Sequence, residues 1–355
     1  MKKIYLVDLH NDKIVDCDLC NAYGAVLIRK GTKITIQLKQ KLLNNNVEFF
    51  FAPSELTPSI DTYVDLFDTF TIKKMEKANK VYEESFDELA TQFEFFKENH
   101  HIDKKVIADI ANQLVDSISG NEQIFVGVQG IKEKDYYTYI HSLDVAVFAI
   151  LFSNSLNFSD SKTRKIALAA LLHDIGKIEI PDDILTKPSR LTVAEMNQMK
   201  QHPVIGYNIL KNELDYSDSI SLIALQHHEK FNRKGYPLGV SWDSIHFHSK
   251  MVAICDIYDA VTANRVYRKG MLPHQAIEFL MSIGDVELDY SLTKLFVRSI
   301  APYPLFTKVL LNTGEEGVVV KLHDNYPHRP VVRLLNSNTS CDLMTELTVF
   351  ISRVL

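Results

Sequence analysis

Histidine and aspartate residues recur along the middle of the chain, each in or beside an apolar run of helical length. Five histidines and two aspartates share this placement, namely His141, His173, Asp174, His202, His227, His228 and Asp256. Imidazole and carboxylate groups without a thiolate suit Fe, Mn, Zn, Ni and Co. Seven ligands are too many for one such ion, so the pattern predicts two ions that share a bridging carboxylate. Asp174 is the natural bridge.

Two metal ions held about 3.5–4 Å apart are a device for hydrolysing phosphate esters, because together they activate a water and stabilise the attacking and leaving oxygens. Lys177 lies about one helical turn beyond His173. Its ammonium group is therefore placed to contact a phosphate or to protonate the leaving oxygen. These residues predict a metal-dependent phosphoesterase.

The pair His173 and Asp174 follows residues 166–172, which are apolar on every side and predict a buried helix. At the end of that helix both side chains can serve one point, and Gly176 is expected to take the left-handed conformation that ends many helices. A buried carboxylate beside an imidazole is costly without a cation. Taken alone, the pair would more simply be a satisfied core histidine beside a capping aspartate. The other histidines favour the metal site.

The composition restricts the class of protein. Hydrophobic residues make up 46% of the 355 residues, as in a globular protein. A net charge of -6 argues against binding polymeric nucleic acid, which needs a basic face. The first residues lack the apolar run of a signal peptide, and the run 145–152 is too short to span a bilayer. We therefore expect a cytoplasmic protein with no membrane contact.

Four cysteines are too few to form a disulfide framework. Cys17 and Cys20 have the spacing of a zinc or redox pair, but no second pair follows them at the spacing of a zinc site. The segment around them has the pattern of a strand and a turn. It is therefore interpreted as structural.

The first part of the chain predicts two segments. Residues 1–60 have the pattern of a small α/β module, with strands at 24–28 and 47–51 and a helix at 36–43. Residues 61–124 contain many Glu and Lys and few Gly or Pro. They predict a helical linker, either one long helix or two helices with a break near residues 99–101. Such a segment commonly joins an input module to an output module.

The second part of the chain also predicts two segments. Residues 125–300 alternate helical runs with short polar breaks, which indicates an all-α bundle. Thr192 and Glu195 have the spacing of a capping box, and Pro203 and Pro273 suit first helical turns. Residues 301–355 predict a small β appendage, with strands at 308–311, 317–320 and 330–335. The predicted fold is therefore mainly α.

The order of motifs between residues 125 and 300 resembles that of the HD-GYP domain, a subfamily of the HD phosphohydrolase superfamily. The first stretch is Asp135-Tyr136-Tyr137-Thr138, which leads into His141-Ser142. The second is His173-Asp174-Ile175-Gly176-Lys177, continued by Ile180-Pro181-Asp182 and Ile184-Leu185-Thr186-Lys187-Pro188. The third is His227-His228-Glu229, followed by Gly235-Tyr236-Pro237, Asp256, Asp259-Ala260, Arg265 and Tyr267-Arg268.

The resemblance implies an HD-type helical bundle that hydrolyses cyclic di-GMP to linear pGpG, and in some members on to GMP. By position, it implies that the metal ligands are His141, His173, Asp174, His202, His227, His228 and Asp256. The cofactor would be two divalent transition-metal ions, Fe or Mn first, with Ni, Co or Zn as alternatives. Residues 1–60 and 301–355 more weakly resemble modules that flank such domains.

The resemblance also implies roles beyond the metal ligands. Asp174 and Lys177 would be catalytic, and the substrate would be bound by Lys177, Tyr236, Asp259, Arg265 and Arg268. Arg265 and Arg268 are three residues apart, so on a helix they share a face, and a dianionic ligand needs such cations. Further implied partners are diguanylate cyclase domains, through the Gly-Tyr-Pro loop. The helices of residues 61–124 are expected to allow homodimers.

Two positions depart from the family pattern. The loop usually written Asp-Gly-x-Gly-Tyr-Pro begins here with Asn232 and Arg233. Tyr137 stands four residues before His141, where some members have a Glu that adds a third metal. A phenol is a poor ligand while it is neutral. We therefore expect two metals, with the Tyr137 ring near their cavity, and accumulation of pGpG.

Two alternative functions remain open at the level of sequence. An HD hydrolase could act on another cyclic dinucleotide or on a nucleotide, although the His227-His228 pair and the Gly-Tyr-Pro loop argue against a simple nucleotidase. A non-catalytic module could bind cyclic di-GMP or a partner protein without turnover. Such modules usually lose ligands, and all seven are present here. Catalysis is therefore favoured.

Overall fold

The computed structural model describes residues 2–6, 14–15, 19–20, 26–44, 49–52, 69–121, 137–187, 189–263, 270–323, 326–337 and 339–355. The chain divides into two compact units. The first consists of residues 1–65 with 130–133, and the second of residues 66–129 with 134–355. Arg265 and Arg268 lie outside the described residues, as does Cys17.

Within the described residues, the first unit consists of a small antiparallel sheet with one helix, which matches the predicted α/β module. Its elements are β1 (Lys2–Tyr5), β2 (Leu19–Cys20), β3 (Val26–Ile28), α1 (Ile36–Asn44) and β4 (Phe49–Ala52). The strands lie in the order β1-β4-β2-β3. Its separate core contains Leu6, Val15, Leu19, Ile28, Ile34 and Leu42.

The second unit begins with two long helices, α2 (Thr69–Asn99) and α3 (Lys104–Ile118). They are separated where the sequence predicts a break, and His100 adopts a positive φ of 51° there. The Asp103 side chain accepts a hydrogen bond from the Lys105 backbone N–H at the start of α3. Both helices bury apolar side chains in the core of the second unit. The boundary between linker and bundle at residue 124 stays a prediction.

The helix α4 (Tyr137–Ser155) is almost entirely buried beyond Tyr139, and eight further α-helices follow it in the described part of the chain. They are α5 (Asp160–Leu171), α6 (Asp182–Leu185), α7 (Val193–Met199), α8 (His202–Asn208), α9 (Asp218–Gln226), α10 (Phe247–Thr262), α11 (Pro273–Ser282) and α12 (Tyr290–Ser299). The helix α4 packs against α2, α3, α5, α10 and α12. A helix that is apolar all round is buried by such neighbours on every side. The predicted mainly α fold is confirmed.

Several predicted helix starts are confirmed in the second unit. Thr192 and Glu195 form a capping box at the start of α7. Pro203 and Pro273 lie in the first turns of α8 and α11, where the missing N–H costs no hydrogen bond.

Among the described helices, none combines the length and the apolar character needed to cross a lipid bilayer.

The prediction that Gly176 adopts a left-handed conformation is wrong. The helix α5 ends before His173, and a 3-10 helix at Ile175–Glu179 takes up the chain, with Gly176 inside it. The φ of Gly176 is not positive. A Cβ at this position would lie 2.1 Å from the His202 backbone oxygen and 2.5 Å from the Gly206 backbone nitrogen. Glycine is thus required by the close approach of α8 and not by a helix end.

The C-terminal segment forms a five-stranded antiparallel sheet. Its strands are β5 (Lys308–Leu311), β6 (Glu316–Lys321), β7 (Val331–Leu334), β8 (Ser340–Asp342) and β9 (Ile351–Val354), in the order β8-β7-β6-β5-β9. The first three strands match the prediction. The strands β8 and β9 are additional, and each pairs with the outer edge of a predicted strand. Their short and partly polar sequences carry little strand signal of their own.

Candidate metal centre

The seven residues with the predicted ligand chemistry come from five places in the second unit and meet in its interior. His141 lies on α4, His173 and Asp174 lie just after α5, and His202 is the first residue of α8. The pair His227 and His228 follows α9, and Asp256 lies on α10. Six of these side chains are buried, and that of His228 is 23% exposed.

The Asp174 carboxylate lies at the centre of the site and divides it into two halves. Its Oδ1 atom lies 3.3 Å from His202 Nε2 and 3.6 Å from His227 Nε2. Its Oδ2 atom lies 3.4 Å from His173 Nε2 and 3.6 Å from His141 Nε2. Two candidate ligand clusters therefore share this one residue. This is the arrangement expected of a bridging carboxylate.

The second aspartate spans the site from the opposite helix. Asp256 Oδ1 lies 3.0 Å from His141 Nε2, and its Oδ2 lies 3.6 Å from His228 Nδ1. Asp256 therefore contacts a histidine of each half. Because it sits on α10 while His141 sits on α4, the packing of these two helices sets the width of the site.

Three of the histidines are oriented by hydrogen bonds to backbone carbonyls. The Nδ1 atom of His173 lies 2.7 Å from Ala170 O, and that of His202 lies 2.7 Å from Met199 O. The Nδ1 atom of His227 lies 2.9 Å from Ala224 O. A carbonyl can only accept, so each Nδ1 carries the proton and each Nε2 turns a lone pair toward Asp174. Such tautomers are those that bind metal.

The nitrogen and oxygen atoms that face one another in this site fit a divalent cation as its ligands. The Nε2 atoms of His202 and His227 lie 3.3 Å apart, and both are acceptors once their Nδ1 atoms are protonated. Within the described part of the chain, the buried His173 Nε2 and Asp174 Oδ1 atoms have no hydrogen-bond partner. Buried acceptors that face one another need a positive charge between them. The cluster therefore fits a divalent metal-binding site.

The protonation of the site follows from burial and from its two aspartates. Burial lowers the pKa of His173 to about 3, which keeps this imidazole neutral. Burial also lowers the pKa of His141, but the hydrogen bonds to Asp256 and Asp259 outweigh it and raise the pKa to about 9. A metal ion would compete with this proton at His141 Nε2.

Lys177 lies at the edge of the site, in the 3-10 helix that follows Asp174. Its Nζ atom forms a short contact with Asp174 Oδ2, and its side chain is 20% exposed. Burial by itself raises the pKa of Asp174, but the positive charge of Lys177 outweighs it, so the pKa lies well below its usual value. Lys177 thus connects the central carboxylate with solvent.

Asp259 and Tyr236, both predicted to bind substrate, occupy different positions. Asp259 is fully buried, and its Oδ2 lies 2.6 Å from His141 Nδ1. It therefore lies behind a histidine of the site. The Tyr236 ring lies 4.6 Å from the His228 ring and 6.3 Å from the His202 ring, between centroids. It forms part of the wall beside His228, the partly exposed histidine of the site.

Two further buried groups were missed at the level of sequence. Tyr82, on α2, donates a 2.6 Å hydrogen bond to Asp144 Oδ1, three residues after His141 on α4. Glu229 is 2% exposed and accepts two backbone N–H groups from the segment after Tyr236. The sequence offered one signal for Glu229, namely a charged residue directly after the predicted ligand His228.

Comparison with known proteins places the chain in a family. Residues 105–292, more than half of the chain, match the model of the HD domain. Residues 308–355 match the KOW domain associated with the HD domain. The chain therefore belongs to the HD domain family, and the resemblance to HD-GYP proteins is confirmed.

Three relatives show the range of named activities. A cyclic di-GMP phosphodiesterase of Pseudomonas aeruginosa is 33% identical over 239 residues, which cover 67% of this chain and 58% of that protein. A cyclic di-GMP phosphodiesterase response regulator of Xanthomonas campestris is 40% identical over 131 residues, 37% of this chain and 35% of that protein. A 3'3'-cGAMP-specific phosphodiesterase of Vibrio cholerae is 36% identical over 150 residues, 42% of this chain and 32% of that protein. The chain thus spans 58% or less of the length of each.

One solved structure shares the fold over most of the chain. It is a HDG"Y"P protein from Bdellovibrio bacteriovorus, with a TM-score of 0.55 and 19% sequence identity. The match covers 83% of this chain and 98% of that chain. It shows a common fold, while the chemistry of the site depends on the residues themselves.

Proposed function

We propose that this chain is a metal-dependent phosphodiesterase that hydrolyses cyclic di-GMP to linear pGpG. The observation that carries the proposal is the sharing of Asp174 between two histidine clusters. A single carboxylate that faces two groups of imidazoles suits a dinuclear centre, and a dinuclear centre suits hydrolysis of a phosphodiester. The relatives named as cyclic di-GMP phosphodiesterases support the choice of substrate.

The proposed ligands are those that the sequence predicts. Asp174 would bridge two divalent ions, Fe or Mn first, held by His141, His173, His202, His227, His228 and Asp256. When bound, two such ions would polarise a water and the scissile phosphate. The backbone carbonyls behind His173, His202 and His227 hold the imidazoles in the binding tautomer.

The residues around the centre would bind and orient the substrate. Lys177, at the edge of the site, is placed to leave Asp174 for the scissile phosphate or to protonate the leaving oxygen. The Tyr236 ring would confine the substrate beside His228. Arg265 and Arg268 are proposed to bind the second phosphate and the bases.

The position of Asp259 favours a different role from the one that the family resemblance implies. Asp259 is fully buried, and its Oδ2 lies 2.6 Å from His141 Nδ1, which places this carboxylate to orient a ligand of the site. We therefore propose that Asp259 holds the His141 ring and strengthens it as a ligand. The cost of burying its charge is offset by this charge-assisted hydrogen bond.

A second candidate substrate is supported by one of the comparisons. The relative from Vibrio cholerae is named for 3'3'-cGAMP, and its match lies within the same identity range. Cyclic dinucleotides share two phosphodiester linkages and differ in their bases. A site built around one phosphodiester can therefore cleave several of them, and the bases decide preference.

Three further parts of the proposal concern product and partners. We propose that pGpG accumulates, because Tyr137 replaces the Glu that adds a third metal in some relatives of the family. We also propose that the Gly-Tyr-Pro loop, where Leu238 is 56% exposed, contacts diguanylate cyclase domains. The helices of residues 61–124 are proposed to mediate a homodimer, which light scattering after gel filtration would detect.

A product assay on the purified, metal-loaded protein tests the function. Protein prepared without oxygen in the presence of Fe or Mn would be incubated with cyclic di-GMP and, separately, with 3'3'-cGAMP. Chromatography should show pGpG from cyclic di-GMP, with GMP absent at early times. The Asp174→Ala variant is the control for contaminating hydrolases. Cleavage of 3'3'-cGAMP alone would favour the second substrate, and GMP as the main early product would contradict the proposed product.

A further inference from the structure

A buried carboxylate accepts hydrogen bonds from the backbone of the loop that carries Tyr236. Glu229, the residue after His228, is 2% exposed. Its Oε1 atom accepts hydrogen bonds from the backbone N–H groups of Leu238, at 2.7 Å, and Gly239, at 3.1 Å. These two donors directly follow the Tyr236-Pro237 pair. The carboxylate therefore fixes the far side of the Gly-Tyr-Pro loop.

The near side of the loop is fixed to the same stretch of chain. The Tyr236 backbone N–H donates to His228 O at 3.2 Å. Gly235 approaches so closely that a Cβ there would lie 2.5 Å from both Glu229 Cα and His228 O. Gly239 adopts a φ of +62°, which lets the chain turn back toward Glu229. The loop is thus wrapped tightly around residues 228 and 229.

The cost of this arrangement points to a function beyond packing. Among the described residues, Glu229 Oε2 has no hydrogen-bond partner, although it is buried. Burying a carboxylate with only one satisfied oxygen is unfavourable. The gain is a fixed position for the Tyr236 ring, 4.6 Å from the His228 ring.

We propose that Glu229 is a positioning residue that holds the Gly-Tyr-Pro loop so that the Tyr236 ring stays in contact with the His228 ring. Through this contact, Glu229 would orient both a metal-binding imidazole and the wall of the substrate site. The kinetic part of this inference rests on the proposed phosphodiesterase function. The structural part does not.

The single tryptophan of the chain offers a readout that needs neither metal nor substrate. Trp242 lies at the end of the same loop, with its ring 5.6 Å from that of Phe231. Acrylamide quenching of its fluorescence should increase about twofold or more in Glu229→Ala, where both loop hydrogen bonds are lost. It should stay close to the original value in Glu229→Gln, whose amide oxygen can still accept both.

Gln226 provides a matched control on the other side of the histidine pair. It is 7% exposed, and its Oε1 accepts the backbone N–H of His246 at 2.9 Å. Gln226→Ala therefore removes a buried acceptor of another segment. Gln226→Ala should therefore show no coupling to Tyr236. The substitution Tyr236→Ala should change kcat/KM by the same factor whether Gln226 is present or replaced by Ala.

A double-mutant cycle tests the link from Glu229 to Tyr236. With cyclic di-GMP as the probe, Glu229→Ala should lower kcat/KM by about tenfold when Tyr236 is present. In the Tyr236→Ala background, the same change should lower it by less than about twofold, because the ring is no longer there to be positioned. Glu229→Gln should largely restore the activity.

The possible results separate this inference from the proposed function. Unchanged Trp242 quenching in Glu229→Ala, or an equal loss of kcat/KM in both backgrounds, would overturn the positioning role. Absence of hydrolysis by the unaltered chain would overturn the proposed function, while the quenching result would still decide the inference. If Glu229→Ala does not fold, Glu229→Asp replaces it, because the shorter carboxylate cannot reach the loop. Stronger quenching of Trp242 in Glu229→Asp than in Glu229→Gln would support the proposal. Equal quenching in the two variants would overturn it.

Discussion

The Nε2 atoms of His202 and His227 lie 3.3 Å apart, although His202 begins α8 and His227 follows α9. Their Nδ1 atoms face the carbonyl oxygens of Met199 and Ala224 and must be protonated. Both Nε2 lone pairs are therefore directed at the same region beside Asp174 Oδ1. Without a cation, two acceptors would repel each other there.

The first prediction concerns the shared carboxylate. Asp174→Ala should lose both metal ions, because each half of the site depends on one oxygen of this residue. Metal analysis of protein purified with Fe or Mn measures the content. Asp183→Ala, which removes an exposed carboxylate nearby, should keep both ions. Retention of both metals by Asp174→Ala would show that Asp174 is not the bridge.

The second prediction distinguishes two roles of Asp259. Asp259→Asn keeps the shape of the side chain but weakens its hydrogen bond to His141 Nδ1. Metal affinity should fall by about 10–100-fold, because partners behind a ligand tune its basicity and orientation. Titration with Mn without substrate measures this. A variant with unchanged metal affinity and a raised KM for cyclic di-GMP would instead support a substrate-binding role.

The third prediction concerns the buried hydrogen bond between α2 and α4. Tyr82→Phe removes the donor to Asp144 Oδ1, and the free energy of unfolding should fall by about 1–3 kcal/mol, since a buried acceptor loses a partner. Denaturant titration measures the change. Tyr139→Phe removes an exposed bond of equal length to Glu94 and should cost less than about 0.5 kcal/mol. Equal losses would contradict this explanation.

The fourth prediction concerns the contact between the segment after Asp174 and α8. Gly176→Ala should destabilise the protein by about 1–3 kcal/mol or more, because its Cβ would overlap with the His202 backbone. It should also reduce metal content, since His202 would move. Gly206→Ala meets its nearest atom at 3.2 Å and should be milder. Thermal melting and metal analysis of both variants provide the comparison.

The fifth prediction concerns Arg265 and Arg268, which lie outside the described residues. If they bind substrate phosphates, Arg265→Ala and Arg268→Ala should each lower kcat/KM, which corresponds to a loss of about 1–3 kcal/mol of transition-state stabilisation. The melting temperature and the metal content should stay unchanged. Steady-state kinetics on cyclic di-GMP would measure this. Unaltered kinetics in both variants would indicate two cations with no role in binding.

The sequence by itself was enough to select the candidate ligands and to predict most of the helices. Residue type and spacing suffice for both, because a buried helix is apolar throughout and its polar ends stand out. His141, Asp174 and Asp256 could therefore be selected as a group before any contact was known. The capping box at Thr192 and the helix-starting prolines also depend only on neighbours within one turn.

The tertiary structure decided which of these residues touch. His141 and Asp259 are 118 positions apart, and Tyr82 and Asp144 are 62 apart, so no local pattern reports their hydrogen bonds. The local pattern predicts a helix end at Gly176, because this glycine follows a helical run. Its actual constraint is the close approach of α8, which no local pattern contains. Such contacts depend on the angles at which helices pack, and these follow from side-chain shapes across the whole core.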